Sequence, residues 1–281
     1  MRAHPIDETD HSCEGRGRTA LVTGASSGIG RSLTELLAAK GYDVIPVARR
    51  GDRLADLAEG LAQRWAITAE PIVADLGAPD AVGHIVAELR RRNTHVDVLI
   101  NNAGYTLGGR FAETSWDEQE RFLRVMALTP TELIHRLLPA MIERRWGRIL
   151  NVASISALAP SSPQSVLYCA SKSLVHKLTE GLAVETAKYN VSCTVSMPGF
   201  TATEIFQASG WGGGIENGRV LRALMMAPET VARQAYSALM ARRPTIVHGW
   251  QHKAIGLCWL HAPPSIRRRL SAFTADLPLT R

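Results

Sequence analysis

Tyr168 and Lys172 lie four residues apart in the stretch "YCASK", and their side chains could do chemistry together. Four residues are about one helical turn, so both side chains leave the same face of a helix. A lysine ammonium beside a phenol lowers the phenol pKa from about 10 towards neutrality. Such a phenol could exchange a proton with a reacting oxygen. Taken alone, the pair is more simply explained by an amphipathic helix that carries both groups without chemistry.

A glycine-rich turn, "TGASSGIG" at Thr23–Gly30, follows a short apolar run. Glycines permit positive φ angles and let the backbone approach a ligand closely. The helix that starts there offers unpaired N–H groups to a phosphate. After the first strand of an alternating chain, the turn predicts a site for a dinucleotide pyrophosphate, with a merely tight turn as the alternative. The predicted binding residues are Gly24, Ser26, Ser27, Gly28, Ile29 and Gly30.

Arg49 and Arg50 stand at the end of the second apolar run, nineteen and twenty residues after Gly30. An acidic residue at this place binds the ribose hydroxyls of NAD, whereas a basic residue accepts the 2′-phosphate of NADP. No aspartate or glutamate occupies the position, and guanidinium groups bind phosphate well. The pattern therefore predicts NADP(H), although both arginines could instead be solvated loop residues.

The elements around these residues alternate regularly from Arg18 onward. Strands are predicted at 19–23, 42–48, 68–75, 96–104, 147–154, 190–199 and 244–249. Helices are predicted at 31–41, 53–65, 80–92, 115–145, 165–185 and 228–242, and Pro130 is a candidate kink or boundary in the helical stretch at 115–145. Strands alternating with helices of this length specify βαβ units. The sequence thus predicts an α/β fold, a doubly wound parallel β-sheet with helices on both faces.

One domain over residues 18–248 accounts for this alternation. The segment 200–227 is too long and glycine-rich to be a simple connection and is predicted to be the substrate loop. Residues 249–281 are predicted to form a C-terminal extension of the same domain. The polar residues 1–17 lack the apolar segment of a secretory signal, so we expect a disordered tail there.

The composition narrows the classes of function. The chain has 281 residues, 46% of them hydrophobic, and a net charge of +6. The arginines form small clusters without interleaved aromatic residues, so we predict no nucleic-acid partner. The cysteines are scattered without metal-binding spacing, at Cys13, Cys169, Cys193 and Cys258. We therefore expect no metal site, and free thiols in a reducing cytoplasm.

Six motifs in order give the chain a resemblance to the short-chain dehydrogenase/reductase family over roughly residues 18–248. The matching stretches are "TGASSGIG", "AD" ending at Asp75, "NNAG" at Asn101–Gly104, "NVAS" ending at Ser154, "YCASK", and "PGFTAT" at Pro198–Thr203. The resemblance implies a single Rossmann-type domain and a carbonyl reductase-like oxidoreductase. It also implies a homodimer or homotetramer formed through the long helices that hold residues 133–142 and 175–184.

The resemblance implies three catalytic roles. Tyr168 would be the general acid in reduction and the base in oxidation, and Lys172 would lower its pKa and bind the nicotinamide ribose. Ser154 would hydrogen-bond the substrate carbonyl. Ser156 is a nearby competitor for that role, because the interval from Ser154 to Tyr168 is about one residue longer than usual in the family.

Further cofactor contacts are implied by the same resemblance. The residues bordering the adenine would be Asp75 and Leu76. The residues lining the cofactor cleft would be Asn102, Ala103 and Gly104. The residues beside the nicotinamide amide would be Pro198, Gly199, Thr201 and Thr203.

Met126 departs from the family pattern, which usually has an asparagine thirteen residues before the proline that is Pro139 here. In the family, that asparagine helps to position a water that links the lysine to bulk solvent. Methionine is only a weak acceptor, although its backbone carbonyl could still hold the water. Two interpretations remain open. The proton relay is rerouted, or the protein is a catalytically weak NADPH-binding sensor or scaffold.

Two stretches bear on the substrate. Apolar side chains that could form a pocket in the substrate loop are Phe206, Trp211, Leu221, Leu224, Met225 and Met226. The two methionines could equally be core filler. Only Arg219 and Arg222 could clamp a carboxylate there, so we expect an apolar ketone or alcohol.

The C-terminal extension combines Ile255, Leu257, Trp259 and Leu260 with Arg267–Arg269. Such a segment could lie on a membrane surface. It could also pack over the substrate cleft or on another subunit, and membrane contact is the less favoured of these alternatives.

Overall fold

The structure is a computed structural model that describes residues 14–161, 165–202, 225–263, 265–267 and 269. The strands are β1 Thr19–Thr23, β2 Asp43–Ala48, β3 Ile72–Val73, β4 Val98–Asn101, β5 Gly147–Val152, β6 Val191–Met197 and β7 Thr245–Val247. The α-helices are α1 Gly28–Ala39, α2 Gly51–Trp65, α3 Ala81–Arg91, α4 Trp116–Leu123, α5 Thr129–Glu143, α6 Val166–Thr186, α7 Pro228–Met240 and α8 Trp250–His261.

All seven strands form one parallel sheet in the order β3-β2-β1-β4-β5-β6-β7. The strand order reverses between β1 and β4, so the segments that follow these two strands leave towards opposite faces of the sheet. This divergence opens a crevice outside the carboxyl ends of the strands. The predicted Rossmann-type, doubly wound α/β fold is confirmed.

The core has two layers because alternate strand residues point to opposite faces of the sheet. In β1, Ala20 and Val22 pack in the layer formed with α1, α2 and α7, whereas Leu21 packs in the layer formed with α3 and α5. Both faces of the central strands are therefore buried. This explains why these strands are near-continuous apolar runs in the sequence.

Two elements differ from the sequence prediction. The third strand was expected to run over residues 68–75, but Pro71 has no N–H to donate and divides it. Only Ile72–Val73 remain as a strand, after a separate bridge between Val44 and Ala69. The helical stretch at 115–145 is not one uniform helix, because a π-helical turn at Arg124–Leu128 separates α4 from α5; the boundary expected at Pro130 lies next to it, since α5 begins at Thr129.

Helix α8 was not predicted, since residues 249–281 show no clear apolar periodicity. Gly249, with φ of 76°, directs the chain from β7 into this helix. Among the described residues, no helix is long and apolar enough to cross a membrane.

Candidate active site

Ser154 and Tyr168 meet at the carboxyl end of the sheet. Ser154 follows β5 and caps a short 3-10 turn, where its hydroxyl accepts a hydrogen bond from the Ser156 N–H at 3.1 Å. Tyr168, in the first turn of α6, is hydrogen-bonded through its side chain to Ser154. The Ser156 hydroxyl is buried without a hydrogen-bond partner among the described residues. The structure therefore brings Ser154, rather than its competitor Ser156, to the tyrosine.

Lys172 lies one turn further along α6 and is almost fully buried, with 6% of its surface exposed. Its Nζ donates a hydrogen bond to the Val152 carbonyl at 2.9 Å and lies 5.8 Å from the centroid of the Tyr168 ring. Burial disfavours the charged ammonium and lowers the pKa of Lys172 to about 8. The end of β5 thus anchors a lysine that can change its charge close to neutral pH.

The pKa of Tyr168 departs from the sequence-based expectation. Burial of the phenol raises its pKa above the usual value and outweighs the lowering effect of the hydrogen bond with Ser154. The expectation that Lys172 lowers the pKa of Tyr168 below its usual value is therefore wrong for the polypeptide by itself. The reason is that α6 places both groups out of water, which disfavours the phenolate and the ammonium alike. Tyr168 is held as a protonated phenol.

The glycine-rich turn is held against β4 by side chains at the strand ends. Thr23 Oγ1 accepts hydrogen bonds from the N–H groups of Asn102 and Ala103, and Asn102 Nδ2 donates to the Thr23 carbonyl at 3.0 Å. Gly24 has φ of 68°, and a Cβ at Gly30 would lie 2.3 Å from the Gly24 carbonyl oxygen. These positions admit only glycine. Thr23 is a site residue for which the sequence analysis assigned no role.

The start of α1 suits an anion. Ser27 precedes the helix but makes no side-chain cap to its N–H groups, and the first turn contains no acidic residue. Its unpaired N–H groups and the positive end of the helix dipole are therefore available to a phosphate. Together with the close approach permitted at Gly24 and Gly28, this arrangement fits the pyrophosphate of a dinucleotide.

Arg50 connects the second strand to the glycine-rich turn. Its Nη2 donates hydrogen bonds to Ser26 Oγ at 3.0 Å and to Ser27 Oγ at 3.3 Å. Arg49 is exposed beside it. The structure thus places the Arg50 guanidinium against two hydroxyls at one end of the crevice, next in the chain to the exposed Arg49.

Asp75 is paired by an arginine that the sequence analysis missed. Arg121 of α4 donates to Asp75 Oδ2 at 2.5 Å, and the Gly77 N–H donates to Oδ1 at 3.1 Å. Burial opposes ionisation of Asp75, but these hydrogen bonds outweigh it, and the carboxyl pKa lies below its usual value. Leu76 is buried, and its carbonyl accepts a hydrogen bond from Thr129 at 2.9 Å. A sequence spacing of forty-six residues gives no signal of the Asp75–Arg121 pair.

The turn at Pro198–Thr201 is joined both to the serine segment and to α8. The Ile155 N–H donates to the Pro198 carbonyl at 2.9 Å. The ring of His252, which is buried, packs so tightly on Gly199 that a Cβ there would lie 2.2 Å from it. Thr201 Oγ1 donates to the Gly199 carbonyl at 3.2 Å, whereas Thr203 lies outside the described residues. His252 is a second missed residue, since nothing in the sequence links it to this turn.

Most of the side chains predicted to form the substrate pocket belong to residues that the structure does not describe. Phe206, Trp211, Arg219, Leu221, Arg222 and Leu224 lie outside the described residues, while Met225 and Met226 are half-buried. The ends of the substrate loop are paired, since Met226 donates to the Phe200 carbonyl and accepts from the Ala202 N–H. The loop therefore leaves and rejoins the fold next to the Pro198–Thr201 turn.

Met126 lies next to Lys172, in the π-helical turn. It is buried, and a Cβ at Gly104 would be 3.0 Å from its Sδ and 3.7 Å from Lys172 Nζ. A cavity of about 10 Å³ is lined by both Met126 and Lys172. This volume is close to what one water requires.

Asn101 lines the same cavity and presents an acceptor. Thr179 donates its hydroxyl proton to the Val175 carbonyl and accepts from Asn151 Nδ2 at 2.9 Å. Asn151 Oδ1 in turn accepts from Asn101 Nδ2 at 2.9 Å. This series of hydrogen bonds sets the orientation of the Asn101 and Asn151 side-chain amides. Asn101 Oδ1 is left buried as an acceptor without a hydrogen-bond partner among the described residues.

Known proteins are similar to this chain over most of its length. The family described as short chain dehydrogenase matches residues 18–211. The chain is 34% identical over 191 residues to a 3-oxoacyl-[acyl-carrier-protein] reductase of Aquifex aeolicus, covering 68% of this chain and 76% of that protein. It is 28% identical over 238 residues to a 7beta-hydroxysteroid dehydrogenase of Mediterraneibacter gnavus, covering 85% and 88% of the two chains.

Solved structures share the fold over almost the whole chain. A 7beta-hydroxysteroid dehydrogenase superposes with a TM-score of 0.84 at 23% identity, covering 94% of this chain and 99% of that one. A short-chain dehydrogenase from Sphingobium yanoikuyae, solved in complex with NADPH, superposes with a TM-score of 0.75 at 26% identity, covering 93% and 98%. With its motifs in order and its fold in agreement, the chain belongs to the short-chain dehydrogenase/reductase family and is an NAD(P)-dependent oxidoreductase.

Proposed function

We propose that this protein interconverts a carbonyl group and a secondary alcohol on an apolar small molecule, with NADP(H) as cofactor. The observation that carries the proposal is the meeting of Ser154, Tyr168 and Lys172 beside the Pro198–Thr201 turn. A proton donor, a hydrogen-bond donor and a buried cation at one edge of the crevice suit proton transfer to a reacting oxygen.

In the direction of reduction, Ser154 donates a hydrogen bond to the carbonyl oxygen and stabilises the negative charge that develops there. Tyr168 gives its phenolic proton to the same oxygen, which becomes the alcohol hydroxyl. When bound, the reduced nicotinamide supplies the hydride to the carbonyl carbon. The raised pKa of Tyr168 keeps the proton on the phenol until it is needed. Lys172 stabilises the phenolate that remains, until a proton returns to it.

The relatives support an apolar substrate. One is named a 3-oxoacyl-[acyl-carrier-protein] reductase and the other a 7beta-hydroxysteroid dehydrogenase. Acyl chains and steroids are both largely apolar groups. NADPH oxidation by the purified protein, across a panel of apolar ketones and aldehydes, tests the proposal. Absence of turnover on all of them, in protein that binds NADPH, would contradict it.

The preference for NADP(H) is proposed from Arg49 and Arg50. A 2′-phosphate at Arg50 could also accept hydrogen bonds from the Ser26 and Ser27 hydroxyls that Arg50 now contacts. The relative solved with NADPH supports this assignment.

Replacing Arg49 and Arg50 together by alanine is expected to raise KM for NADPH by about thirtyfold, because charge-assisted hydrogen bonds to the phosphate are lost. KM for NADH should change less than threefold. Steady-state kinetics with both cofactors measure the difference. Arg91→Ala, which removes an exposed arginine from α3, is the matched control. Equal losses for the two cofactors would refute the 2′-phosphate assignment.

A second candidate function, an NADPH-binding sensor or scaffold with little turnover, is favoured by Met126 alone. The site also contains features that argue against this function. The cavity lined by Met126 and Lys172 has room for one water, and Asn101 Oδ1 could accept a hydrogen bond from it. We therefore favour an active enzyme with a rerouted proton relay over an NADPH-binding sensor or scaffold.

Met126→Asn distinguishes the two functions. If the methionine slows proton return, the amide should raise kcat severalfold, whereas Met126→Leu, which keeps an apolar side chain of similar volume, should leave it unchanged. Turnover numbers and NADPH affinity of both variants are the measurements, with thermal unfolding to confirm folding. An active wild type without gain in Met126→Asn would support the rerouted relay. No turnover in any variant that binds NADPH would support the sensor.

We also propose a homodimer or homotetramer. Exposed apolar side chains lie on or next to the helices that the resemblance assigns to subunit contacts, with Leu174 and Val184 on α6 and Leu128 directly before α5. Burial of these side chains against a second copy would stabilise the assembly.

A further inference from the structure

Helix α8 is apolar on both of its faces, but only one face is buried. His252 and Gly256 face the protein, with Ile255 and Trp259 half-buried beside them. On the opposite face, Trp250 is 75% exposed, Leu257 61% and Leu260 56%. A helix that is apolar all round is normally covered on all sides. The outward face, defined here by Trp250, Leu257 and Leu260, therefore requires a partner.

The charges of the segment that carries this face have one sign. Between residues 244 and 275 the sequence contains four basic residues and no aspartate or glutamate. Lys253 lies on the exposed side of α8, and Arg267 and Arg269 are exposed just beyond it, next to the half-exposed Ile266. Tryptophan and leucine bordered by lysine and arginine are typical of helices that lie in the interface of a membrane.

We infer that the outward face of α8 binds the surface of a bilayer containing anionic lipids. Trp250, Leu257 and Leu260 enter the boundary between headgroups and acyl chains, while Lys253, Arg267 and Arg269 contact the anionic headgroups. The binding is peripheral and reversible, since a few apolar side chains and a few charges contribute to it.

A second copy of the chain fits this face less well. In a two-fold symmetric contact of this face, the same patch lies on both sides, so only basic residues of this segment would be charged there. No acidic residue in the segment could pair with these charges. The like charges would repel across the axis, whereas an anionic lipid surface neutralises them.

The inward face of α8 joins this surface to the active site. Gly256 packs against Ile155 and Leu158, which follow Ser154, and His252 packs on Gly199. Lipid contact would therefore occur on the opposite side of the helix that packs against these two segments of the site proposed to act on an apolar substrate. This consequence rests on the proposed function, whereas the lipid binding does not.

Vesicle co-flotation of the full-length protein tests the inference. We expect binding to vesicles of phosphatidylcholine mixed with phosphatidylglycerol, and at least tenfold weaker binding to phosphatidylcholine alone. Replacing Trp250, Leu257 and Leu260 together by glutamine should abolish the binding. The matched control is Trp116→Gln, because Trp116 is also an exposed tryptophan but lies on α4. Lys253→Gln combined with Arg267→Gln and Arg269→Gln should weaken binding to anionic vesicles by about a hundredfold.

Each other outcome overturns the inference. No flotation with anionic vesicles, or flotation that the triple glutamine variant retains, excludes this face as a lipid site. A loss of oligomeric mass in that variant, without vesicle binding by the wild type, would make the face a subunit contact. Turnover of a water-soluble ketone is measured in parallel. It should be unchanged in the triple variant, so a failure of lipid binding is separable from a failure of the proposed oxidoreductase activity.

Discussion

Tyr168→Phe is expected to lower kcat for NADPH-dependent carbonyl reduction by about a thousandfold, the usual scale for loss of a general acid. Phenylalanine keeps the ring and its packing at the start of α6 but removes the hydroxyl that is hydrogen-bonded to Ser154. NADPH affinity should change by less than threefold. Single-turnover oxidation of bound NADPH, with an apolar ketone in excess, measures the chemical step directly.

Ser156→Ala is the control for this prediction, because Ser156 lies two residues from Ser154 but has no hydrogen-bond partner among the described residues. It should leave kcat within about twofold of the wild type, whereas Ser154→Ala should lower it by about a hundredfold. If Tyr168→Phe retained more than a tenth of wild-type kcat, another group would be the proton donor. That result would refute the proposed catalytic role of Tyr168 and would not test the sensor function.

Lys172→Met is expected to lower kcat by about a hundredfold, because it removes the cation that stabilises the Tyr168 phenolate. The same substitution should act on stability in a pH-dependent manner. Folding lowers the pKa of Lys172 from its usual value near 10.5 to about 8. Below the folded-state pKa of Lys172, the folded protein keeps a charged ammonium buried or must release its proton. Either lowers the free energy of unfolding. As the pH rises from 8 towards 10.5, the unfolded chain also loses this proton and the cost disappears.

The measurement is the free energy of unfolding in denaturant, for the wild type and Lys172→Met without cofactor. Methionine carries no charge, so the difference between the two proteins isolates the lysine. We expect the wild type to gain about 2 kcal/mol relative to the variant between neutral pH and about pH 10. Lys177→Met, which removes an exposed lysine paired with Glu180, should show no such change. A difference that does not vary with pH would mean that Lys172 keeps an ordinary pKa.

The glycine-rich turn illustrates what local sequence can predict. The backbone geometry of Gly24 and Gly28 and the start of α1 depend on residues that are neighbours in the chain. The α/β alternation is likewise a local property, because the apolar period differs between helix and strand. The family resemblance and the place of Tyr168 and Lys172 on one helix face were therefore accessible from the sequence.

The pKa directions and the ion pairs at the site were not accessible. Whether Lys172 lowers the pKa of Tyr168 depends on how far both groups are removed from water, and the distant elements packed around α6 decide this. Arg121 reaches Asp75 from another helix, and His252 reaches Gly199 from the C-terminal helix. The choice of Ser154 over Ser156 also depended on the path of the chain after β5.

By itself, the sequence determined the parallel α/β architecture, the order of the motifs and the residue types available for dinucleotide binding and proton transfer. These follow from periodicities and spacings within one element or one turn. Only the tertiary structure decided that Met126 shares a cavity with Lys172, that burial raises the pKa of Tyr168, and that α8 packs one face on the Pro198–Thr201 turn and leaves the other exposed. Desolvation and packing arise between elements far apart in the chain, so no local pattern encodes them.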